Sequence, residues 1–107
     1  MRTYKKHGAI PELSIEELSR LIAPIARENN IVGVSLFGSR ARGDYDSDSD
    51  YDFLIDVNKD YRFRNYLNFK EGMSELLQCD VDVVSRRSLT NDRFSKDVLR
   101  EEIHVYG

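Results

Sequence analysis

The aspartates of this sequence are concentrated in one short stretch, and two of them, Asp50 and Asp52, are separated by a single residue at the start of an apolar segment. In an extended strand, residues two apart point to the same face of the sheet. Carboxylate oxygens are preferred ligands of divalent cations, and two such ions about 4 Å apart can assist phosphoryl-type transfer. The pair therefore predicts metal ligation, with a solvated acidic loop as the alternative.

A third aspartate, Asp82, stands inside the apolar segment Val81–Val84. An ionised carboxylate in such a strand is costly unless it is paired or bound to a metal. If this strand pairs beside the strand of Asp50 and Asp52, Asp82 would reach the same metal ions. Two alternatives stay open: Asp82 could face water on an edge strand, or Asp80, on the same face, could be the ligand.

A Gly-Ser pair, Gly38 and Ser39, follows a buried segment and precedes a helix start. Glycine lets the backbone approach a ligand closely, and the free amides of a helix N-terminus suit phosphate. The Ser39 hydroxyl adds a donor. An ordinary strand-to-helix turn is the alternative. One of the two nearby arginines, Arg40 or Arg42, could neutralise phosphate oxygens, because the guanidinium group matches their geometry. The alternative is a salt bridge to the acidic loop, and of the two arginines we favour Arg42 as the phosphate contact.

The acidic run before Ser49 does not fit a calcium-binding EF-hand loop. Such a loop needs Gly at its sixth position and Glu at its twelfth. Counted from Asp44, those positions hold Ser49 and Ile55. Asp44, Asp46 and Asp48 are therefore expected to be solvated loop residues.

Several other reactive side chains lack a partner cluster in the sequence. His7 and His104 lie near the two ends and are expected to be surface residues. The single cysteine, Cys79, excludes an internal disulfide and is expected in the core or at its edge. Arg86 and Arg87 form a short basic pair that is expected to be solvated.

The bulk composition fits one domain spanning residues 1–107. Of these residues 40% are hydrophobic and 33% charged, and the net charge is −3. An acidic balance argues against direct binding to nucleic acid. There is no signal-peptide pattern and no apolar run of about 18 residues, so no membrane association and a cytoplasmic location are expected.

The elements that must position these residues follow from periodicity and capping signals. Ser14 and Glu17 match a capping box, and Pro24 is expected to kink the helix that follows. After that first helix, the patterns predict strand Ile31–Phe37, a short helix over Ser39–Gly43, strand Tyr51–Val57, helix Phe63–Leu77, strand Val81–Val84 and a last helix over Asp92–Tyr106. Along the second strand, Asp50, Asp52, Leu54 and Asp56 share one face, and the apolar alternate residues should pack on helices. The predicted fold class is α/β (α+β), with a small mixed sheet and helices packed on it.

Taken together, these motifs resemble the minimal nucleotidyltransferases of the polymerase-beta-like superfamily. The family pattern is Gly-Ser-x-Ala-Arg-Gly, then Ser-Asp-x-Asp, then a third Asp on a later strand. Here it is met by Gly38–Gly43, Ser49–Asp52 and Asp82. The resemblance covers nearly the whole chain and implies the polymerase-beta-like fold.

The resemblance also implies roles for these residues. Gly38 and Ser39 would bind the triphosphate of ATP. Asp50, Asp52 and Asp82 would ligate two Mg²⁺ ions, and Asp82 would help to deprotonate an acceptor hydroxyl that attacks the α-phosphorus and releases pyrophosphate. Many such chains are antitoxins that adenylylate a tyrosine of a HEPN ribonuclease toxin encoded nearby. A domain this small has little room for a separate acceptor-binding domain, which agrees with an acceptor that a partner protein supplies.

Two other functions stay open at this level. The chain could be a non-catalytic antitoxin that neutralises its partner by contact alone, although all three aspartates are present. It could also transfer the nucleotide to a small molecule, although such enzymes usually carry extra acceptor-binding structure.

Overall fold

The computed structural model describes residues 13–46 and 48–107, in which helices and strands alternate. In chain order the elements are α1 (Ile15–Glu28), β1 (Ile31–Phe37), α2 (Ser39–Arg42), β2 (Tyr51–Val57), α3 (Phe63–Leu77), β3 (Val81–Ser85), a 3-10 turn (Arg86–Ser88), α4 (Arg93–Glu101) and β4 (Ile103–Tyr106). In this described part, no helix has the length and apolar character needed to cross a bilayer.

The first helix begins at the predicted capping box. The Ser14 hydroxyl accepts a hydrogen bond from the Glu17 amide at 3.1 Å, and the Glu17 carboxylate accepts one from the Ser14 amide at 3.0 Å. These bonds satisfy amides that have no partner within the helix. Pro24 lies on the exposed side of α1, which continues to Glu28.

The four strands form one mixed sheet in the order β3-β2-β1-β4. β1 pairs antiparallel with β2 and with β4, whereas β2 and β3 are parallel. A parallel pair needs a long crossover connection, and α3 provides it. The prediction of a small mixed sheet with packed helices is confirmed.

The two faces of the sheet are covered by different helices. On one face, α1 and α3 pack over the main core, where the rings of Phe53 and Phe69 meet edge to face at 6.2 Å between centroids. On the other face, a smaller cluster joins Phe37, Leu54 and Val98, so α4 covers that side. The predicted alternation of β2 is confirmed, and α4 shares a face with Asp52.

The predicted last helix over Asp92–Tyr106 is wrong beyond Glu101. α4 ends at Glu101, and Ile103–Tyr106 forms β4 along the edge of β1. The spacing of the apolar residues fits a helix, but β1 offers unpaired backbone groups there, and Val105 is buried in the core. Strand pairing and burial therefore override the local pattern.

Arg86 joins the end of β3 to the residue that precedes β4. Its guanidinium donates to Asp56 at 2.7 Å and to both carboxylate oxygens of Glu102 at 2.8 and 2.6 Å. The bonds to Glu102 and then to Asp56 raise the pKa of Arg86 and keep it charged. The expectation that Arg86 is solvated is wrong, because a fork of donors between two carboxylates holds three segments together.

Replacing Arg86 should weaken this junction. Arg86→Met keeps the aliphatic stem but leaves Asp56 and Glu102 without their shared donor, so the free energy of unfolding should fall by about 1–2 kcal/mol. Urea denaturation followed by circular dichroism measures the change. Arg64→Met, at an exposed position of α3, is the matched control and should leave stability unchanged. Equal losses in the two variants would contradict a structural role for Arg86.

Candidate active site

Asp52 and Asp82 lie side by side because β2 and β3 are parallel and in register. The strand pairing sets Asp52 directly opposite Asp82. Asp52 is half-buried and Asp82 is exposed. The two strands do pair, which was the condition for a shared metal site, and the pairing brings two of the three predicted carboxylates together.

The burial of Asp82 differs from the sequence prediction. Asp82 is not buried inside an apolar strand: β3 is the edge of the sheet and Asp82 is open to solvent, which is the alternative that the sequence left open. Asp82 nevertheless lies next to Asp52, as a shared metal site requires. Asp80 precedes β3 and does not line the cleft beside Asp52.

Asp50 completes a set of crowded carboxylates. It immediately precedes β2 and is half-buried. Burial raises the pKa of Asp52 to about 6, and the charge and hydrogen bond of Asp82 and the charge of Asp50 add to this effect. As the described side chains stand, no three His, Cys, Asp or Glu groups converge closely enough to hold a cation.

The donor chemistry nevertheless fits a divalent cation. The three aspartates offer only oxygen ligands, which Mg²⁺ prefers. A bound cation would offset the repulsion that raises the pKa of Asp52, because an opposite charge favours the ionised carboxylates. Asp50, Asp52 and Asp82 are therefore the residues that would hold it.

Two constraints require glycine at position 38: the backbone conformation there and the closeness of Asp52. Its φ is +75°, a region that side-chain-bearing residues rarely adopt. A Cβ at this position would collide with the Asp52 carboxylate, whose Cγ would lie only 3.1 Å away. Gly38 thus allows the start of α2 to approach the carboxylates closely. Its carbonyl accepts from the amides of Ala41 and Arg42, both at 3.0 Å.

A cleft of about 500 Å³ opens at this place, a volume in the usual range for small-molecule sites. Five of the six predicted site residues line it: Gly38, Ser39, Arg42, Asp52 and Asp82. Asp50 is set back at the start of β2. The opposite wall of the cleft was not predicted from the sequence; α4 contributes Phe94, Asp97 and Glu101 to it. The helical spacing of these three was visible, but which face of the sheet α4 covers was not.

The two arginines of α2 have different surroundings. Arg40 is buried, its Nε donates to the Ser49 carbonyl at 2.9 Å, and its guanidinium lies over the rings of Tyr45 and Tyr51 at 4.7 and 4.3 Å. Arg40 therefore holds the loop that leads to the aspartate pair. Arg42 lines the cleft.

Arg42 is paired with acidic groups at the cleft rim. It contacts Asp44 at 3.1 Å and Glu101 at 3.0 Å. These two carboxylates raise the pKa of Arg42. Arg42 thus joins α2 to α4, and it is the arginine of this pair that faces the cleft.

The remaining candidate residues lie away from the cleft. Asp44, Asp46 and Asp48 are exposed, as predicted, and Asp46 accepts from the Asp48 amide at 2.8 Å to form the turn before β2. Cys79 is buried and His104 is exposed, also as predicted. His7 lies outside the described residues.

The crowding of carboxylates should make Asp52 a destabilising residue in the metal-free protein. Its pKa is raised from 3.8 to about 6, so ionisation costs stability as pH rises through that window and costs nothing below about pH 4. After a discount for half-exposure, Asp52→Asn should raise the free energy of unfolding by about 1 kcal/mol near pH 8.

Urea denaturation at several pH values in the presence of a chelator tests this gain. The advantage of the variant should shrink as pH falls towards about 4. Asp60→Asn, in an exposed loop, should show no such gain. If Asp52→Asn is less stable than wild type at every pH, carboxylate crowding does not destabilise the metal-free protein.

The close approach of Gly38 to Asp52 predicts an energetic coupling. Gly38→Ala should destabilise the protein by about 2 kcal/mol more than Gly43→Ala, because both glycines have positive φ but only Gly38 meets a neighbour. Combining Gly38→Ala with Asp52→Ala should recover much of the difference. A double-mutant cycle from thermal or urea denaturation measures this recovery. If the double variant loses as much free energy of unfolding as the two single variants together, the predicted collision between Cβ of residue 38 and Asp52 is excluded.

Comparison with known proteins agrees with this geometry. The family model described as Polymerase beta, Nucleotidyltransferase matches residues 20–107. The protein adenylyltransferase MntA of Thermococcus cleftensis is 30% identical over 87% of this chain and 97% of its own length. A Methanocaldococcus jannaschii protein, described as a candidate protein adenylyltransferase, is 30% identical over 85% of this chain and 94% of its own.

Solved structures share the fold. One described as a candidate minimal nucleotidyltransferase has a TM-score of 0.70 and 32% identity, covering 86% of this chain and 96% of that one. A toxin–antitoxin complex with AMP-PNP contains a chain with a TM-score of 0.69 and 22% identity, covering 83% and 73%. Because the family model spans more than four-fifths of the sequence and includes the whole cleft, this chain belongs to the polymerase beta nucleotidyltransferase family and is a nucleotidyltransferase.

Proposed function

We propose that this nucleotidyltransferase is a protein adenylyltransferase that acts as an antitoxin. It transfers AMP from ATP to a tyrosine hydroxyl of a HEPN-type toxin encoded nearby and releases pyrophosphate. The toxin is silenced by the modification, and the reaction takes place in the cytoplasm, where ATP is supplied.

The observation that carries this proposal is the in-register pair of Asp52 and Asp82 in the same cleft as Gly38 and Ser39. A phosphate-binding turn and carboxylates on neighbouring strands are the two parts that nucleotidyl transfer needs. The first binds the triphosphate, and the second supports the charge that develops at the reacting phosphorus.

Each residue has a stated role in the proposed reaction. The backbone amides at Gly38 and Ser39 and the Ser39 hydroxyl bind the triphosphate, and Arg42 neutralises a phosphate oxygen. Asp50, Asp52 and Asp82 hold Mg²⁺, which when bound neutralises charge on the phosphate oxygens.

The acceptor oxygen forms its bond to the α-phosphorus as the bond from that phosphorus to the α,β-bridging oxygen of ATP breaks, and that oxygen leaves with the electron pair as a terminal oxygen of pyrophosphate. The proton of the acceptor hydroxyl passes to Asp82, which is exposed to solvent at the edge of the sheet and can pass it on to water.

The protein acceptor is supported by the relatives. The MntA relative, at 30% identity over nearly its whole length, is named a protein adenylyltransferase. A similar fold occurs in the MNT antitoxin of Shewanella oneidensis in complex with a tri-AMPylated HEPN toxin, at 19% identity and a TM-score of 0.64. We extend the acceptor class and the partner to this chain on that basis.

Transfer of labelled nucleotide tests the proposal. The purified chain, mixed with Mg²⁺, α-labelled ATP and the HEPN protein encoded beside it, should label that protein on tyrosine. Asp50→Asn or Asp52→Asn should reduce labelling by about a thousandfold or more, because each removes a metal ligand. Asp48→Asn, an exposed loop aspartate, should retain activity.

Two outcomes would contradict catalysis as the function. One is the absence of transfer from any nucleoside triphosphate to the partner. The other is rescue of cells from the toxin by an Asp50→Asn/Asp52→Asn double variant, which would indicate neutralisation by contact alone. Labelling of small hydroxyl compounds in preference to the partner would instead assign a small-molecule acceptor.

A further inference from the structure

A second groove, of about 680 Å³, continues from the cleft along β3 towards the start of α3. The two spaces share the side chains of Tyr66, Val83 and Val84. Asp82 lies next to Val83 on the same strand, so the groove opens at the Asp82 end of the cleft. A ligand in the groove can therefore reach the carboxylates without crossing Gly38 and Ser39.

The groove has an exposed aromatic wall. The side chain of Phe63 is 71% exposed at the first position of α3, and its ring stacks on Tyr66 with centroids 5.7 Å apart and planes 23° apart. Tyr61 also lines the groove. Three aromatic residues, Tyr61, Phe63 and Tyr66, are thus grouped along one groove, and such a grouped patch indicates a contact surface.

The rim of the groove is cationic. Arg87 is exposed, with its guanidinium 5.5 Å from the centre of the Tyr61 ring. Arg62 also lines the groove, and its guanidinium donates to the Lys59 and Tyr61 carbonyls, both at 3.0 Å. Among the described residues that line the groove there is no carboxylate. The neighbouring cleft, in contrast, is lined by four carboxylates and one arginine, Arg42.

Gly38 and Asp82 also lie on opposite sides of Asp52, because Gly38 follows β1, Asp82 is on β3, and β2 lies between these strands. Under the proposed function, the triphosphate occupies the end of the cleft formed by Gly38 and Ser39. In-line displacement requires the acceptor oxygen to approach from the side opposite to the leaving pyrophosphate. Asp82 marks that side, and the groove is the surface that leads to it.

We propose that this groove docks the polypeptide segment that carries the acceptor tyrosine, and that it selects apolar and acidic residues next to that tyrosine. The inference rests on the proposed function for the direction of approach. Phe63 and Tyr66 would pack on an apolar side chain, and Arg62 and Arg87 would pair with carboxylates of the segment. The tyrosine would then extend past Val83 to Asp82.

The test uses two synthetic peptides of about ten residues, long enough to fill the groove, with the same central tyrosine and leucine. One carries glutamates around the tyrosine and the other carries lysines. Their binding to the full chain is measured by fluorescence anisotropy without ATP, so that it does not depend on catalysis. The KM values for peptide and for ATP are then measured with labelled ATP and Mg²⁺.

Two variants and two matched controls probe the groove. Phe63→Ala removes the aromatic wall and Arg87→Glu reverses the rim charge. Leu76→Ala and Arg64→Glu make similar changes at exposed positions of α3 outside the groove. Circular dichroism verifies that all four remain folded.

We expect the acidic peptide to bind the wild-type chain about tenfold more tightly than the basic one. Phe63→Ala should weaken binding of both peptides by about tenfold, and Arg87→Glu should abolish or reverse the preference. The controls should bind as wild type does. In the transfer assay, the two groove variants should raise the KM for peptide and leave the KM for ATP unchanged.

Three results would overturn the inference. They are equal binding of the two peptides, binding that neither groove variant changes, and a rise in the KM for ATP alone, which would assign the aromatic wall to the nucleotide base. Groove-dependent binding of the acidic peptide without label transfer to any acceptor would support the docking surface and contradict the proposed function instead.

Discussion

The parallel pairing of β2 with β3 is the constraint on which the rest of this molecule depends. It sets Asp52 opposite Asp82 although thirty positions of sequence separate them. Parallel strands require a long connection, so α3 crosses the sheet and buries Phe69 against one face. The other face is left for the carboxylates and for α4. The position of the candidate active site is thus a consequence of strand direction.

The C-terminal segment completes the cleft from the opposite edge of the sheet. β4 pairs with β1, and this pairing fixes where α4 must end and which face it covers. Arg86 strengthens the arrangement by tying Glu102 to Asp56. Since α4 carries Phe94 and Glu101 into the cleft, a structural ion pair outside the site helps to define the wall of the site.

Charge is divided between two adjoining surfaces. The cleft collects carboxylates at a cost to the metal-free fold, because burial and neighbouring charges oppose ionisation of Asp52. Such a cost is common where a site is arranged for a bound cation and not for stability. The groove beside it has the opposite character, with Arg62 and Arg87 around exposed aromatic rings. The acidic and the basic surface adjoin at Val83, next to Asp82.

The sequence by itself determined the helix and strand positions up to β3 and the motif residues, because capping, alternation and glycine signals are local. Only the tertiary structure decided three features of the site. They are the close approach of Gly38 to Asp52, the exposure of Asp82, and the different positions of Arg40, which is buried, and Arg42, which lines the cleft. Only the tertiary structure decided β4 as well, because its residues have helical spacing but pair with the edge of β1. These features depend on which strands are neighbours, and that is set by burial and backbone pairing between distant segments, which no local pattern encodes.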